Sequence, residues 1–337
     1  MVNASPVQIT VLRGRDDECR AVRSLLDGVT GGGGALLVHG EPGSGRSALV
    51  AHAHRYAEGC AVLAGAGLVE EAALPYAGLQ RLLDPVLDRA TALPSHQRHL
   101  LRRALDGDGC PADRQLALSM AVLGLLAAAA RDRPLLATMD DVDRGDRQTA
   151  QVLAFVARRL RHLPIAVLLT ADVTTTVDGI PALRLRPLNE GESVAVLTDR
   201  LPERPAAPVA AALAAICGGN PQALVDVAEV LSPGQGRGEE PLPTTPPADG
   251  ALGRAYRARL DRLPPDTRRM LLLAALDEDG GTATLVRAAA AAGTAVEALA
   301  PAEVAGLVRV EPRGVRFPQP LARAMVAAIA RANGCSP

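Results

Sequence analysis

A glycine-rich segment near the N-terminus contains the residue types best suited to chemistry in this chain. It reads Gly-Glu-Pro-Gly-Ser-Gly-Arg-Ser from Gly40 to Ser47 and lies between the apolar run 35–38 and a helical Ala-Leu-Val-Ala stretch. Glycines let successive backbone N–H groups curl around phosphate oxygens, and the following helix adds the positive end of its dipole. A simple turn is the alternative for such a segment taken alone. The order of strand, loop and helix favours a phosphate loop, with these candidate ligands: Gly40, Gly43, Ser44, Gly45 and Arg46 for phosphate, and Ser47 for Mg²⁺.

Arg46 stands where the usual pattern of such a loop has lysine. The chain contains no lysine at all, so its 36 basic residues are all arginine, which indicates a coding bias. Arginine keeps the positive charge, but its planar guanidinium is bulkier than an ammonium group and reaches a phosphate differently. We therefore expect phosphate binding to survive this replacement better than catalytic turnover.

A second motif follows about ninety residues later, where the apolar run 135–139 ends in Asp140 and Asp141. Carboxylates at the end of a buried strand are typical of the metal-binding and catalytic element that accompanies a phosphate loop. Asp140 is predicted to hold Mg²⁺, and Asp141 is predicted to orient or activate the attacking water. Two aspartates that simply end a strand at the surface are the alternative. The phosphate loop upstream, in the right order, favours the catalytic interpretation.

The elements that must position these motifs alternate between short Leu- and Val-rich runs and longer helical stretches. This alternation is typical of βα units around a parallel sheet. Strands are predicted near residues 35–39, 61–66, 135–139, 165–170 and 182–185, with helices between them. The predicted fold class is therefore α/β, a P-loop NTPase with a parallel sheet flanked by helices.

Beyond this sheet we predict a helical lid and a winged-helix-like domain. An all-helical stretch over 190–231 is followed by a segment rich in Pro, Gly and Thr. Helices are then predicted near 250–263, 266–276 and 283–292, and two β-like runs, 308–310 and 315–317, flank Arg313-Gly314. The expected domains are 1–188 for nucleotide binding, 189–231 for the lid, 232–249 for a linker and 250–337 for the winged-helix-like domain.

Composition narrows the function further. The 36 basic and 37 acidic residues nearly cancel, which removes the broad attraction of a dedicated nucleic-acid or membrane-surface binder. Residues 1–12 show no secretory signal, and the uncharged stretch 116–130 is shorter than the ~18–20 residues needed to cross a bilayer, so we expect a cytoplasmic protein. The cysteines are scattered and never form a CxxC pair, so we predict neither a zinc site nor disulfides: Cys19, Cys60, Cys110, Cys217 and Cys335.

Further segments follow the pattern of one known family. They are Leu-Arg-Gly-Arg-Asp-Asp-Glu at 12–18, Gly219-Asn220-Pro221, the stretch 260–264 with 267–269, and Pro-Ala-Glu-Val-Ala-Gly-Leu-Val at 301–308. Together with the two motifs above, their order resembles the ATP-binding region, of AAA/STAND type, in large LuxR-family transcriptional regulators of high-GC bacteria. The resemblance covers nearly the whole chain, from Leu12 to about Ala330.

The resemblance implies a signal-transduction ATPase that holds ADP in a closed state and ATP, with Mg²⁺, in an open and self-assembling state. The opening loop, with Gly14 and Arg15, would then lie over the adenine. Gly219, Asn220 and Pro221 would lie beside the nucleotide. A turn that places proline at the first helical position explains the same three residues, and both interpretations can hold.

Four positions depart from the family pattern around the presumed site. Arg46 replaces lysine. After Asp141, where the family usually has a His-Trp-Ala-Asp type run, Val142 is followed by Asp143-Arg144-Gly145-Asp146. The fourth strand ends in Thr170-Ala171-Asp172, where an arginine is common. Gln319 replaces a histidine that in related proteins touches the nucleotide phosphates. These four changes together predict slow hydrolysis or none, hence at most a weak ATPase.

The leading hypothesis is an ATP- or ADP-binding regulatory module that acts as a slow or degenerate nucleotide switch, with self-association or a partner protein. The family's C-terminal helix-turn-helix is missing, so a fragment, a truncated gene and a stand-alone partner stay open. One alternative is a pseudo-ATPase that serves as an interaction scaffold. Another is an origin-recognition-like DNA-binding ATPase, but its recognition helix, 284–293, offers only Arg287 as a basic residue. We therefore expect no direct DNA binding.

Overall fold

A computed structural model of the chain describes residues 12–277, 281–311 and 314–332. The chain divides into two compact units. The first contains Gly45–Leu185 and the residues up to Glu41, whereas the second contains Arg186 onward together with the short segment Pro42–Ser44. The tip of the phosphate loop is therefore counted with the second unit, and the rest of the loop with the first.

The first unit is built on a parallel sheet of five strands in the order β2-β3-β4-β1-β5. Each predicted strand is present to within one residue at either end, and the predicted parallel sheet is confirmed. Parallel strands are buried on both faces and therefore read as continuous apolar runs, which makes them visible in a sequence. The strands are β1 (Gly34–His39), β2 (Ala61–Ala66), β3 (Leu135–Asp140), β4 (Ile165–Ala171) and β5 (Ala182–Arg184).

Helices cover both faces of this sheet because successive strand residues point to opposite sides. Leu37 belongs to one core and its neighbour Val38 to the other, and the same alternation separates Leu168 from Leu169. Both cores consist mainly of Leu, Val and Ala, in a chain in which aromatic residues make up only 1% of the sequence. The flanking helices are α1 (Asp16–Asp27), α2 (Arg46–Tyr56), α3 (Ala77–Leu83), α4 (Ser95–Arg103), α5 (Gln115–Ala129) and α6 (Arg147–Ala157).

Helix α5 is the most apolar of these elements. With the turn before it, the stretch Ala112–Ala129 has a mean hydropathy of 1.3 and is long enough to cross a membrane by length and composition. The expectation concerned only the uncharged stretch 116–130, whereas this longer span also includes Asp113 and Arg114. Leu118, Val122 and Leu125 of α5 are fully buried in one core of the first unit, and core helices pass the same test of length and composition.

Where the structure describes it, the second unit is helical apart from one antiparallel hairpin, β6 (Arg309–Glu311) with β7 (Gly314–Arg316). Its core combines residues from before and after the predicted linker, for example Leu224, Tyr256 and Met325. The hairpin lies one residue from the predicted positions, and Arg313 falls outside the described residues. The helices are α7 (Glu190–Arg200), α8 (Ala207–Ile216), α9 (Pro221–Val230), α10 (Pro233–Arg237), α11 (Ala251–Leu260), α12 (Pro265–Leu276), α13 (Thr282–Ala291), α14 (Ala300–Val304) and α15 (Pro320–Ala332).

The segment predicted as a linker is partly structured. Ser232 and Gln235 form a capping box at the start of α10, in which each side chain accepts a hydrogen bond from the other residue's backbone N–H. Leu242 and Ala248 then pack against the core of the second unit. The division into lid, linker and winged-helix-like domain stays a prediction.

The cysteines that the structure describes are free thiols. Cys19 and Cys217 are buried, and Cys60 and Cys110 are partly buried, whereas Cys335 lies outside the described residues. Burial raises the pKa of the Cys217 thiol to about 12, so this thiol is protonated at neutral pH.

Candidate functional site

The phosphate loop connects the end of β1 to the start of α2. Gly45 occupies the N-cap position of α2 with a φ of 99°, in the left-handed region that glycine adopts without steric cost. No side chain caps this helix. The first N–H groups of a helix have no partner within the helix, so this end of α2 presents backbone donors and a positive dipole to an anion.

The guanidinium of Arg46 is held inside the protein. One nitrogen donates to the carbonyl of Gly40, and another lies 2.5 Å from Oδ1 of Asp141. The Arg46 side chain is only 11% exposed, and its Nε atom is buried without a hydrogen-bond partner. The residue that stands at the lysine position of the pattern is therefore paired with the predicted catalytic carboxylate.

Asp141 is bound by a second arginine as well. Its Oδ2 accepts a hydrogen bond of 3.2 Å from Arg144, while Oδ1 pairs with Arg46. The backbone of Asp141 has a φ of 47°, a left-handed conformation that aspartate tolerates better than most residues. Both carboxylate oxygens are thus held by guanidinium groups, so one of these contacts must be broken before water can occupy its place.

Asp140 and Ser47 meet at the ends of β3 and of the phosphate loop. The Ser47 hydroxyl donates to Oδ2 of Asp140 over 2.6 Å. Oδ1 of Asp140 accepts a hydrogen bond from Thr170, whose hydroxyl in turn accepts the backbone N–H of Asp141 at 2.8 Å. The two predicted metal ligands therefore lie together, and the fully buried Thr170 fixes both aspartates.

The sequence reasoning noted Thr170 only as a departure from a family pattern and missed this role. The available signal was its position, because a polar residue at the carboxyl end of a buried strand has to find a buried partner. In a parallel sheet the carboxyl ends of neighbouring strands lie at the same edge, and β4 is hydrogen-bonded to β3. Thr170 of β4 therefore reaches the two aspartates that follow β3.

Comparisons with known proteins concern the fold that carries this site. Residues 11–169 match the family model described as AAA ATPase domain. Over 97% of this chain and 99% of the other, the structure is similar to the Walker-type ATPase of Pyrococcus abyssi, with a TM-score of 0.58 and 16% identity. The chain has the fold of a P-loop ATPase.

A second solved structure is similar to this chain in the same way. The ORC2 protein of Aeropyrum pernix, in its ADPNP and ADP complexes, gives a TM-score of 0.53 at 17% identity, over 100% of this chain and 98% of that one. At such identities the likeness concerns the fold alone. Among curated proteins, no sequence matches this chain.

The residues at this site fit Mg²⁺ that arrives with a nucleotide. Ser47 and Asp140 supply a hydroxyl and a carboxylate oxygen, which are hard ligands of the kind that Mg²⁺ prefers. Within the described ranges, no group of three or more His, Cys, Asp or Glu side chains is arranged to hold a metal ion. Mg²⁺ is commonly bound by one or two protein ligands, water and substrate phosphates, and this pair of ligands matches that pattern.

Asp146 organises the chain just beyond the catalytic pair, and the sequence reasoning gave it no role. Its carboxylate is 1% exposed and accepts hydrogen bonds from the backbone N–H groups of Tyr76, Gly78 and Thr149 and from the Thr149 hydroxyl, at 2.7–3.1 Å. One side chain therefore caps α6 and also holds the start of α3. The sequence signal was an aspartate directly before a helical run. Such an aspartate indicates an N-cap for α6, but it does not indicate the contact with α3.

A close backbone approach holds the other side of the same segment. A β-carbon at Gly67 would lie 2.1 Å from the carbonyl oxygen of Asp141 and 2.6 Å from the backbone nitrogen of Gly145. Only glycine fits there without moving the backbone. The loop that carries Asp141 is thus confined between Gly67 and the hydrogen bonds of Asp146.

The predicted adenine-binding residues lie at the start of α1. Gly14 has a φ of 64°, and Arg15 occupies the N-cap position of the helix. The Arg15 guanidinium is buried and pairs with Glu18 at 3.1 Å. An adenine contact by Gly14 and Arg15 stays a prediction.

The remaining predicted ligands belong to the second unit. Gly219 has a φ of 69°, Asn220 caps α9, and Pro221 is the first residue of that helix, which is the arrangement that the turn interpretation predicts. Asn220 also donates a hydrogen bond to the carbonyl of Pro42, in the tip of the phosphate loop. Gln319 precedes α15, and its carbonyl accepts from the backbone N–H of Ala322 at 3.1 Å. Nucleotide contacts by these residues stay predictions.

Proposed function

We propose that the protein is an ATP- or ADP-binding regulatory module, similar to the ATPase region of LuxR-type transcriptional regulators, and that it acts as a slow nucleotide switch. The P-loop ATPase fold and the AAA ATPase match over residues 11–169 support nucleotide binding. The solved ORC2 structure with ADPNP and ADP supports the same class of ligand. The regulatory role rests on the family resemblance of the sequence segments described above.

The single observation that carries the slow rate is the ion pair between Arg46 and Asp141. A nucleotide phosphate and the Asp141 carboxylate compete for the same guanidinium, which is 2.5 Å from Asp141 and nearly buried. While the pair is intact, Arg46 is held by Asp141 instead of phosphate, and Oδ1 of Asp141 is occupied by the guanidinium instead of water. Phosphate binding by Arg46 and contact of Asp141 with water thus both require this one ion pair to be broken.

A pseudo-ATPase scaffold is the second candidate, and the second arginine on Asp141 favours it. If phosphate draws Arg46 away, Arg144 at 3.2 Å still neutralises part of the Asp141 charge. The site then binds nucleotide without turning it over, and the bound nucleotide serves to order a surface for a partner protein or a second copy of the chain. Nucleotide binding is common to both candidates, and turnover separates them.

The deciding experiment is a titration of the purified chain with ATP or ADP in the presence of Mg²⁺, followed by calorimetry. We expect dissociation constants from micromolar to sub-millimolar, roughly −5 to −8 kcal/mol. Arg46→Ala should weaken binding by about tenfold, because a charge-assisted hydrogen bond to phosphate is lost. Arg81→Ala is the matched control, since Arg81 forms a partly exposed ion pair with Glu71 at 2.9 Å. Absence of heat and of a thermal shift at millimolar nucleotide would refute the proposal.

A further inference from the structure

Asn220 is bound on both sides of its carboxamide group within the second unit. Its Oδ1 accepts the backbone N–H groups of Gln222 and Ala223, each at 3.1 Å, and thereby caps α9. Its Nδ2 donates to the carbonyl of Pro42 at 2.9 Å. The residue is only 6% exposed. Because a carbonyl oxygen offers two lone pairs and both are used, Oδ1 has no acceptor capacity left for a ligand.

A second hydrogen bond holds the same part of the phosphate loop. The backbone N–H of Gln222 also donates to the carbonyl of Gly43 at 3.1 Å. A β-carbon at Gly43 would lie 2.6 Å from Oδ1 of Asn220 and 2.8 Å from Cδ1 of Leu252, and the φ of Gly43 is 76°. The loop tip therefore packs against the start of α9 at a spacing that only glycine permits.

These two carbonyl anchors fix the direction of two N–H groups. In a trans peptide the C=O of one residue and the N–H of the next point in opposite directions, and the described chain has no cis peptide bonds. The Pro42 carbonyl points to Asn220, so the N–H of Gly43 points away from α9. The Gly43 carbonyl points to Gln222, so the N–H of Ser44 does the same. Consecutive N–H groups held in this way form an anion-binding concavity.

We infer that Asn220 is a positioning residue of the proposed nucleotide site, which orients the Gly43 and Ser44 amides toward phosphate through the Pro42 carbonyl and does not itself bind the nucleotide. This inference rests on the proposed function and adds the cause of the loop's shape. It differs from the earlier expectation that Asn220 lies beside the nucleotide as a direct ligand.

The test uses two substitutions that keep the helix cap and remove the amide donor. Aspartate and serine are both good N-cap residues, so Asn220→Asp and Asn220→Ser retain an acceptor for the start of α9. Neither side chain can hold the Pro42 carbonyl as the amide does, and the serine variant adds no charge. The matched control is the same pair of changes at Asn189, which caps α7 in an exposed capping box.

The measurement compares the affinities for Mg²⁺-ADP and for pyrophosphate, a probe that has no base or ribose. We expect both Asn220 variants to bind both probes about tenfold more weakly, as the loss of one partly buried hydrogen bond predicts. The Asn189 variants should stay within about twofold of the wild type, since their cap is exposed and its hydrogen bonds join Asn189 to Glu192 and not to the phosphate loop. Thermal unfolding without ligand should show that all four variants are folded.

The outcomes are distinguishable. Weakened ADP binding with unchanged pyrophosphate binding would mean that Asn220 contacts the base or ribose, and it would overturn the inference. Unchanged binding of both probes in either Asn220 variant would overturn it as well. If the wild-type chain binds ADP neither in this comparison nor in the titration described above, the proposed function is overturned. The role assigned to Asn220 then fails with it.

Discussion

Arg46 joins the predicted phosphate loop to the predicted catalytic carboxylate through one side chain. Its guanidinium contacts the Gly40 carbonyl and Asp141 at once, which a lysine ammonium, as a compact point charge on a flexible chain, does not reproduce with the same fork geometry. The pair joins the phosphate loop to the end of β3. Arginine at this position therefore keeps the positive charge of the usual lysine but pairs with a different group.

Substitution of Arg46 by lysine tests this point. We expect Arg46→Lys to raise the rate of ATP hydrolysis by about tenfold over a near-zero baseline, equivalent to roughly 1.4 kcal/mol in the barrier. The reason is that lysine contacts the phosphates as a point charge and releases Asp141. Nucleotide affinity should change less. The measurement is steady-state phosphate release, with affinity measured in parallel.

Arg144→Lys is the matched control, because Arg144 contacts the same carboxylate at 3.2 Å but lies outside the phosphate loop. It should leave the rate near the baseline. If Arg46→Lys alone has no effect, adding Gln319→His tests whether the missing histidine limits turnover. A wild-type rate above ~1 s⁻¹ that disappears in Arg46→Ala and Asp141→Asn would show that arginine performs the role of lysine and that the site is a working ATPase.

At the scale of elements, Asp146 joins two helices that are far apart in sequence. It caps α6 through the backbone N–H of Thr149 and holds the start of α3 through the N–H groups of Tyr76 and Gly78. The segment from Asp141 to Asp146 is thereby fixed at its far end. Because this segment carries the predicted catalytic carboxylate, we expect the cap to affect function through position as well as stability.

We expect Asp146→Ala to lower the free energy of unfolding by about 3–5 kcal/mol, because it removes one helix cap and leaves further buried N–H groups without acceptors. Asp146→Asn keeps one acceptor oxygen and should cost less. The measurement is urea unfolding of the full chain. Asp17→Ala is the control: it removes an exposed ion pair with Arg20 and should change stability by under ~0.5 kcal/mol. A loss equal to that of the control would contradict the double-cap interpretation.

At the scale of the whole molecule, charge is the property that decides between a regulator module and a DNA-binding ATPase. The net charge is −1, and α13, the candidate recognition helix, has Arg287 as its one basic residue. Arg309 and Arg316 face each other across the β6–β7 hairpin and are exposed. This pair offers two phosphate contacts at most, which is too few for tight binding at physiological salt.

We therefore expect no sequence-selective DNA binding by the full chain in a gel shift at about 150 mM salt. Weak retention at low salt should fall further in the double variant Arg309→Ala, Arg316→Ala, because each lost phosphate contact reduces the counterion release. The matched control is Arg237→Ala, whose arginine is exposed and paired with Glu239 at 2.9 Å. Tight and selective binding at moderate salt would favour the origin-recognition-like alternative.

The sequence by itself determined the parallel sheet, the phosphate loop and the aspartate pair. Buried parallel strands are continuous apolar runs, so each strand could be placed to within one residue. The glycines of the loop and the two aspartates after β3 are local patterns, and local patterns are visible without a fold. The capping function of Asn220 was visible for the same reason, since Pro221 follows it directly.

Only the tertiary structure decided which side chains these motifs contact. Arg46 meets Asp141 across 95 positions of the chain, Thr170 meets Asp140 across 30, and Asn220 meets Pro42 across 178. Such contacts depend on the order of the strands and on which helix packs where, and one sequence has no local pattern that encodes either. The physical reason is that a side chain contacts only groups within a few ångströms of it. The packing of the whole fold decides which groups those are.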